Sequence, residues 1–290
     1  MCVDPRCAII DEDHMNRDKK SEHLAKKIGS TGSGCGPANS DRVLRTIGLA
    51  KDTPELEDYI TDVSLSVNEA IDNGEDVFIE GSQGFALSLY YGTYPYVTSS
   101  NPIAGGAAVG ASMGILAIER VVGVFKAYMT RVGEGAFITE LTDETGEKLR
   151  EIGGEFGVTT GRPRRCGWFD CVSARYSVLV GGISEIALTK LDVLDSFEKI
   201  KIAISYKNKI TGEIIKSYPT DVFTHGDYEP IYQEFDGWQT DISNCKNYDE
   251  LPLNAKKYLS ALEEILGVKI TIISVGPDRE QTLVKRADFG

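Results

Sequence analysis

The segment Thr159-Thr160-Gly161-Arg162-Pro163-Arg164-Arg165 puts three arginines within four residues of a chain that carries 31 Lys and Arg against 44 Asp and Glu. Each guanidinium is a planar fork that meets a carboxylate or phosphate with two parallel hydrogen bonds, and the threonine hydroxyls beside a flexible glycine add further donors. Such a loop suits a dianionic ligand; the alternative is a solvated basic turn paired with neighbouring acids. A second candidate is Thr189-Lys190-Leu191-Asp192, which follows the apolar run Ile186-Ala187-Leu188. An aspartate there can accept the N1 and N2 protons of guanine together, a pair that adenine does not offer, while the lysine stem covers the base. Ser274-Val275-Gly276-Pro277 ends another apolar run, and its backbone amides can reach a guanine oxygen.

The glycine-rich run from Gly29 to Gly36 frees backbone N–H groups to wrap an anion. It lacks the Gly-Lys-Ser/Thr of a triphosphate loop, so we assign it to a monophosphate. Arg45, further along, is either a second anion contact or half of a surface ion pair. From Gly81 to Ile118 no charged residue occurs, but glycines, prolines and hydroxyl side chains interrupt the run and exclude a membrane helix. The segment either lines a buried cleft, where backbone can approach a ligand closely, or packs as an internal loop.

The elements that must position these residues alternate between strand and helix. Thr53-Pro54 starts a helix whose apolar stripe runs from Leu56 through Ile71 to a stop at Asn73-Gly74. Val77-Phe78-Ile79 reads as a short buried strand feeding Glu80-Gly81-Ser82-Gln83-Gly84, and a turn at a strand's carboxyl end is where open α/β sheets hold ligands. Val121 to Val132 reads as a strand, Asp170 to Val180 as a helix, and Ile200, Ile202 and Ile204 alternate with period two. Ala255, Tyr258, Leu259, Leu262 and Leu266 stripe a helix closed by Gly267, ahead of a strand at Ile270 to Ile273. This alternation predicts an α/β chain with a mostly parallel sheet and no clear internal boundary across residues 1–290. A net charge of −13 argues against nucleic acid or anionic lipid as the partner. Six cysteines without a CxxC pair, only three histidines, and an amino terminus without a signal-peptide pattern fit reduced thiols in a cytoplasm and no metal site.

Together the segments IGSTGSGCGPANSDRVLR, FIEGSQG, YGTYPYVTSSN, KAYMTRVGEG, FGVTTGRPRRCGW, LTKLDVLD and ISVGPDR resemble, in order, the adenylosuccinate synthetase family. The short stretch from Gly48 to Asp76 looks like that of its compact archaeal-type members. The resemblance implies the family's P-loop-related α/β fold, a homodimer, and GTP-dependent ligation of IMP to L-aspartate in AMP biosynthesis, with GTP as co-substrate and Mg2+. By the same resemblance Thr31, Gln83, Leu87, Val97, Thr98, Val132 and Arg162 would line the IMP site, and Arg45 would reach IMP in the neighbouring subunit. Thr159, Thr160, Arg162 and Arg164 would hold aspartate, and Lys190, Asp192, Ser274 and Gly276 would recognise guanine.

Two departures bear on these expectations. Ser33 stands where bacterial members often have arginine. The family's GDEGKGK-type loop and Asn-Ala-Gly-His segment, which carry the catalytic aspartate and histidine, the triphosphate cradle and the metal ligands, are absent from these 290 residues. Gln83 can then support catalysis only by hydrogen-bonding the purine edge. The chain is expected to be the carboxyl-terminal two-thirds or more of the enzyme. The rival readings are a non-catalytic purine-nucleotide-binding remnant and a ligase acting on a guanine nucleotide, like the phage relatives that make 2-aminoadenylosuccinate.

Overall fold

Asp11, Asp62, Asp143 and Asp170 each turn a carboxylate onto the free N–H groups of a helix start. The helices are α1 (Glu12–Lys20), α2 (Cys35–Leu44), α3 (Val63–Asp72), α4 (Ala104–Gly110), α5 (Glu144–Ile152), α6 (Cys171–Gly181) and α7 (Leu253–Leu266). The strands are β1 (Val122–Lys126), β2 (Met129–Arg131), β3 (Arg165–Gly167), β4 (Phe169–Asp170), β5 (Glu185–Thr189), β6 (Lys199–Asn208), β7 (Ile214–Ile215), β8 (Tyr228–Asp236), β9 (Lys269–Ser274) and β10 (Thr282–Val284). This computed structural model describes residues 1–157, 161–219 and 227–285. The chain divides into two units, Met1–Glu119 and Arg120–Gly290.

The first unit holds α1 to α4. The single helix expected from Thr53 to Asn73 is two pieces, a 3-10 turn at Pro54–Tyr59 and then α3. Long-range pairing makes the break: Ile60 bridges to Val3, and the Thr61 N–H donates to the Val3 carbonyl at 3.0 Å. Asp62 then restarts the helix by accepting the Leu65 N–H. The strand expected at Val77-Phe78-Ile79 is not formed, and Phe78 is 86% exposed. A strand needs a neighbour to satisfy its backbone groups, and among the described residues of this unit β-type pairing is limited to the isolated bridges Val3–Ile60 and Ala8–Leu49.

The second unit holds the sheets. One has the order β1-β5-β9-β10, with β1, β5 and β9 parallel and β10 antiparallel at the edge. A second is built on β6, paired parallel with β4 and antiparallel with β7 and β8, and β2 with β3 makes a third. The strand expected from Val121 to Val132 breaks at Ala127-Tyr128 into β1 and β2, and β2 pairs instead with β3. Along β6 the predicted alternation buries Ile200 and Ile202, then changes phase where the pairing with β8 shifts between Ala203 and Ser205, so that Ser205 and Tyr206 are both buried. The whole apolar stripe of α7 is buried in the core with Ile186, Leu188, Ile270 and Ile273. Within it the Tyr258 hydroxyl donates to the Ala127 carbonyl at 2.6 Å, which satisfies a buried phenol and fixes the β1–β2 break.

Asp170 shows how tightly this frame is specified. It caps α6 by accepting the Val172 and Ser173 N–H groups at 3.1 Å, and it accepts the buried Tyr206 hydroxyl at 2.5 Å. Burial pushes its carboxyl up to about 6 despite those three donors. Asp170→Ala should therefore cost about 2 kcal/mol or more in urea unfolding, from the lost cap and the stranded phenol. A raised folded-state value means that the native protein holds the proton over a range where the unfolded chain has released it. Wild-type stability relative to Asp170→Asn should therefore fall as pH rises from about 4 to about 6, and a difference that is flat over that range would contradict the assignment.

Candidate recognition site

In the second unit, the residues expected to recognise guanine fall at the carboxyl ends of β5 and β9, neighbouring parallel strands. The Leu191 N–H donates to the Ser274 carbonyl at 3.2 Å and ties the two turns together. The Ser274 hydroxyl donates to the Gly276 carbonyl at 2.8 Å and closes its own turn. Gly276 lies against the Gln281 amide, which a Cβ there would approach to 2.2 Å and displace. Lys190 has a positive φ of 58°, uncommon outside glycine, which lets the chain reverse after β5. Asp192 is half-buried, and its Oδ1 is a buried oxygen with no hydrogen-bond partner among the described residues. Burial raises its carboxyl above the ordinary carboxylate value. The next acid, Asp195, is spent on structure: it accepts Trp238 Nε1–H at 2.5 Å and the Ile242 N–H at 3.0 Å, and burial lifts it to about 6.

Arg164 and Arg165 of the basic loop are both paired with acids. Arg165 forks onto Glu140, and Arg164 Nη1 donates to Glu155 at 2.7 Å. Glu155 was not singled out from the sequence, yet its side chain is fully buried and gathers three hydrogen-bond donors and a further cation. Lys126 Nζ donates at 2.8 Å, the Tyr128 hydroxyl at 2.5 Å and Arg164 at 2.7 Å, with Lys190 Nζ 3.3 Å away. Burial alone would raise this carboxyl, but the bonds from Lys126, Tyr128 and Arg164 outweigh it and hold Glu155 at about 2. Desolvation in turn lowers Lys126 below an ordinary lysine and lifts the Tyr128 phenol well above its usual range. Lys190 also donates to the Gly153 carbonyl. The expected aspartate ligand Arg164 and the expected guanine ligand Lys190 thus share one anchor. The signal for it in the sequence is slight: one acid directly before a glycine-, threonine- and arginine-rich loop. Arg162 and Val132 are exposed. Thr159 and Thr160 lie outside the described residues.

In the first unit, a cavity of about 390 Å³ opens beside Gln83, between Ile79–Gln83, Ser100–Pro102 and the glycine face of α4. Parts of the uncharged segment line this open cavity, while Tyr90, Val109 and Leu116 of the same segment are exposed. Gly106 lets α4 approach: a Cβ there would sit 2.0 Å from the Asn101 carbonyl oxygen. Ser88 donates to Asn101 Oδ1 at 2.9 Å, and the Thr98 N–H donates to the Leu87 carbonyl at 2.8 Å, so Leu87, Thr98 and Asn101 are held in one knot. Val97 is half-buried in the same loop. Asn101 and Gly106 are positioning residues that residue type alone did not reveal. Thr31 is exposed, with its hydroxyl 3.1 Å from that of Ser33. In the glycine-rich loop several amides are already taken: the Ser30 N–H donates to the Leu24 carbonyl at 2.9 Å, the Gly32 N–H to the Ser30 hydroxyl at 3.3 Å and the Gly34 N–H to buried Asp18 at 2.9 Å. Arg45 is exposed and ends α2 with a φ of 66°. Among the described residues no three His, Cys, Asp or Glu side chains converge to hold a metal ion, and no helix is long and apolar enough to cross a membrane.

Comparison with known proteins places the chain in a family. The family model for adenylosuccinate synthetase matches residues 48–283. The adenylosuccinate synthetase of Caldanaerobacter subterraneus subsp. tengcongensis is 53% identical over 231 residues, covering 80% of this chain and 54% of the relative. That of Desulfitobacterium hafniense is 45% identical over 321 aligned positions, covering 96% of this chain and 74% of the relative. The fully ligated adenylosuccinate synthetase of Plasmodium falciparum superposes with a TM-score of 0.94 at 37% identity, covering 98% of this chain and 78% of that one. The chain spans about half the length of several of the curated relatives it matches. With the mixed, mostly parallel sheet, the strand-end turns and a family match over most of its length, the chain belongs to the adenylosuccinate synthetase family.

Proposed function

We propose that this chain carries the substrate-recognition part of a GTP-dependent ligase that joins IMP to L-aspartate to give adenylosuccinate, on the route to AMP. The observation that carries the reading is the buried, unpartnered Oδ1 of Asp192, at a turn tied to Ser274. A buried acceptor without a donor costs free energy, and guanine's N1–H and N2–H edge supplies the missing donors where adenine cannot. Lys190 covers the base, and the Ser274–Gly276 turn meets its oxygen.

In the reaction, GTP phosphorylates O6 of IMP, and the aspartate amine then displaces phosphate from that carbon. Gln83, beside the cavity under α4, hydrogen-bonds the purine edge, with Leu87, Val97, Thr98 and Thr31 completing its surroundings. An amide does not serve as the base at N1. Arg162 and Arg164 hold the carboxylates of aspartate, together with Thr159 and Thr160. Magnesium accompanies GTP in the family; among the described residues no three His, Cys, Asp or Glu side chains converge, and what these residues supply is binding and orientation. The protein works in the cytoplasm as a homodimer, with exposed Arg45 reaching IMP across the interface.

Recognition is the direct readout, because the 290 residues contain no GDEGKGK-type loop. Calorimetry should show GDP binding more tightly than ADP. Asp192→Asn, which replaces one acceptor by a donor, should cost about 1–3 kcal/mol of GDP affinity and narrow that gap. Equal affinity for GDP and ADP would overturn the reading. For the arginine loop, succinate should raise the melting temperature of the chain, and Arg164→Lys should cut that rise at the same succinate concentration by removing the fork. An unchanged rise in the variant would remove Arg164 from the dicarboxylate site.

A further inference from the structure

Three cations, Lys126, Arg164 and Lys190, surround the fully buried carboxylate of Glu155, and with Asp192 close enough to Lys190 to feel its charge the cations still outnumber the acids. Arg164 gives Glu155 only Nη1; its Nε and Nη2 make no hydrogen bond to described residues, and the side chain is about a quarter exposed. Lys190 carries a left-handed backbone and is held by Glu155 and the Gly153 carbonyl. The same carboxylate therefore aims one side chain from the arginine loop and another from the β5 turn, while touching neither proposed ligand.

We propose that Glu155 is a positioning residue that couples the dicarboxylate site to the guanine site, so that each ligand tightens the binding of the other. The proposal deepens the function proposed above and rests on the roles given there to Arg164 and Lys190. Its physical basis is charge. A dicarboxylate on the free edge of Arg164 neutralises the excess positive charge and relieves repulsion between Arg164 and Lys190. Lys190 then stays on Glu155 with its stem in place over the base. The converse holds by linkage, since a base that fixes Lys190 on Glu155 also fixes the shared carboxylate against which Arg164 is oriented. Glu155 need not move. It has only to be the common point at which both cations are immobilised, and its burial makes that point rigid.

The test is GDP titration of the 290-residue chain by calorimetry, with and without saturating succinate, for wild type, Glu155→Asp and Glu155→Gln, with ADP as control. In wild type, succinate should tighten GDP binding about fivefold. Glu155→Asp keeps the charge but withdraws it by one methylene, and the ratio should fall below half its wild-type value. In Glu155→Gln the ratio should approach one. If Glu155→Gln does not fold, the aspartate variant alone decides, because it leaves the cations balanced as before. A purely structural role would weaken both titrations equally and leave the ratio unchanged, and that result would overturn the coupling, as would a wild-type ratio of one. These outcomes are separable from failure of the function itself: GDP preferred over ADP with an unchanged ratio rejects the coupling alone, whereas equal GDP and ADP binding in wild type rejects both.

Discussion

A carboxylate with no exposed surface remains ionised only if its surroundings supply the donors that water would have supplied, and in this protein that requirement organises the second unit around Glu155. Lys126 comes from the end of β1, Tyr128 from the break before β2, Arg164 from the loop before β3 and Lys190 from the turn after β5. The position of each backbone is constrained by that one charge. The break in the strand between Val121 and Val132 follows from the same packing, because Tyr128 must turn inward to reach Glu155 while the Ala127 carbonyl takes the Tyr258 hydroxyl. Removing the acid would leave several buried or half-buried cations facing one another. Removing one cation leaves the acid still held by the remaining donors.

The first unit solves a different problem with different chemistry. Its cleft carries almost no charge, and close approach of backbone does the shaping. Gly92 and Gly106 each sit where a Cβ would fall within 2.3 Å or less of a carbonyl oxygen, so the loop before α4 folds onto itself and onto the helix only because those side chains are absent. Ser88 and Asn101 then tie the fold with a side-chain bond, and Thr98 and Leu87 tie it with a backbone one. A purine, with a flat apolar face and polar edges, matches a surface of this kind better than a strongly charged one.

Much of this was legible in the sequence, for identifiable reasons. The α7 stripe with its Gly267 stop, the helix α6 and the strands ending in Lys190-Leu191-Asp192 and Ser274-Val275-Gly276 were readable because local periodicity and stop signals decide them. What was not readable depends on contacts between residues far apart in the chain. The helix expected through Ile60 and Thr61 yields to their pairing with Val3, and the strand expected at Val77 to Ile79 has the composition of a strand but no neighbour to complete its ladder. Glu155 was invisible for the same reason, since its four partners are distributed along the chain from Lys126 to Lys190 and no local spacing joins them. The arginine loop reads from sequence either as a set of forks for a dianion or as a basic turn paired with neighbouring acids. The structure shows Arg164 and Arg165 bonded to acids, with Arg164 keeping part of its fork available.

The guanine site proposed at the joined turns after β5 and β9 is tested most directly by a crystal structure of the chain grown with GDP. Both oxygens of Asp192 should lie within hydrogen-bonding distance of guanine N1 and N2, with the Lys190 stem over the base and its ammonium still on Glu155. GDP bound away from these two turns, or an Asp192 that turns from the base to solvent, would contradict it.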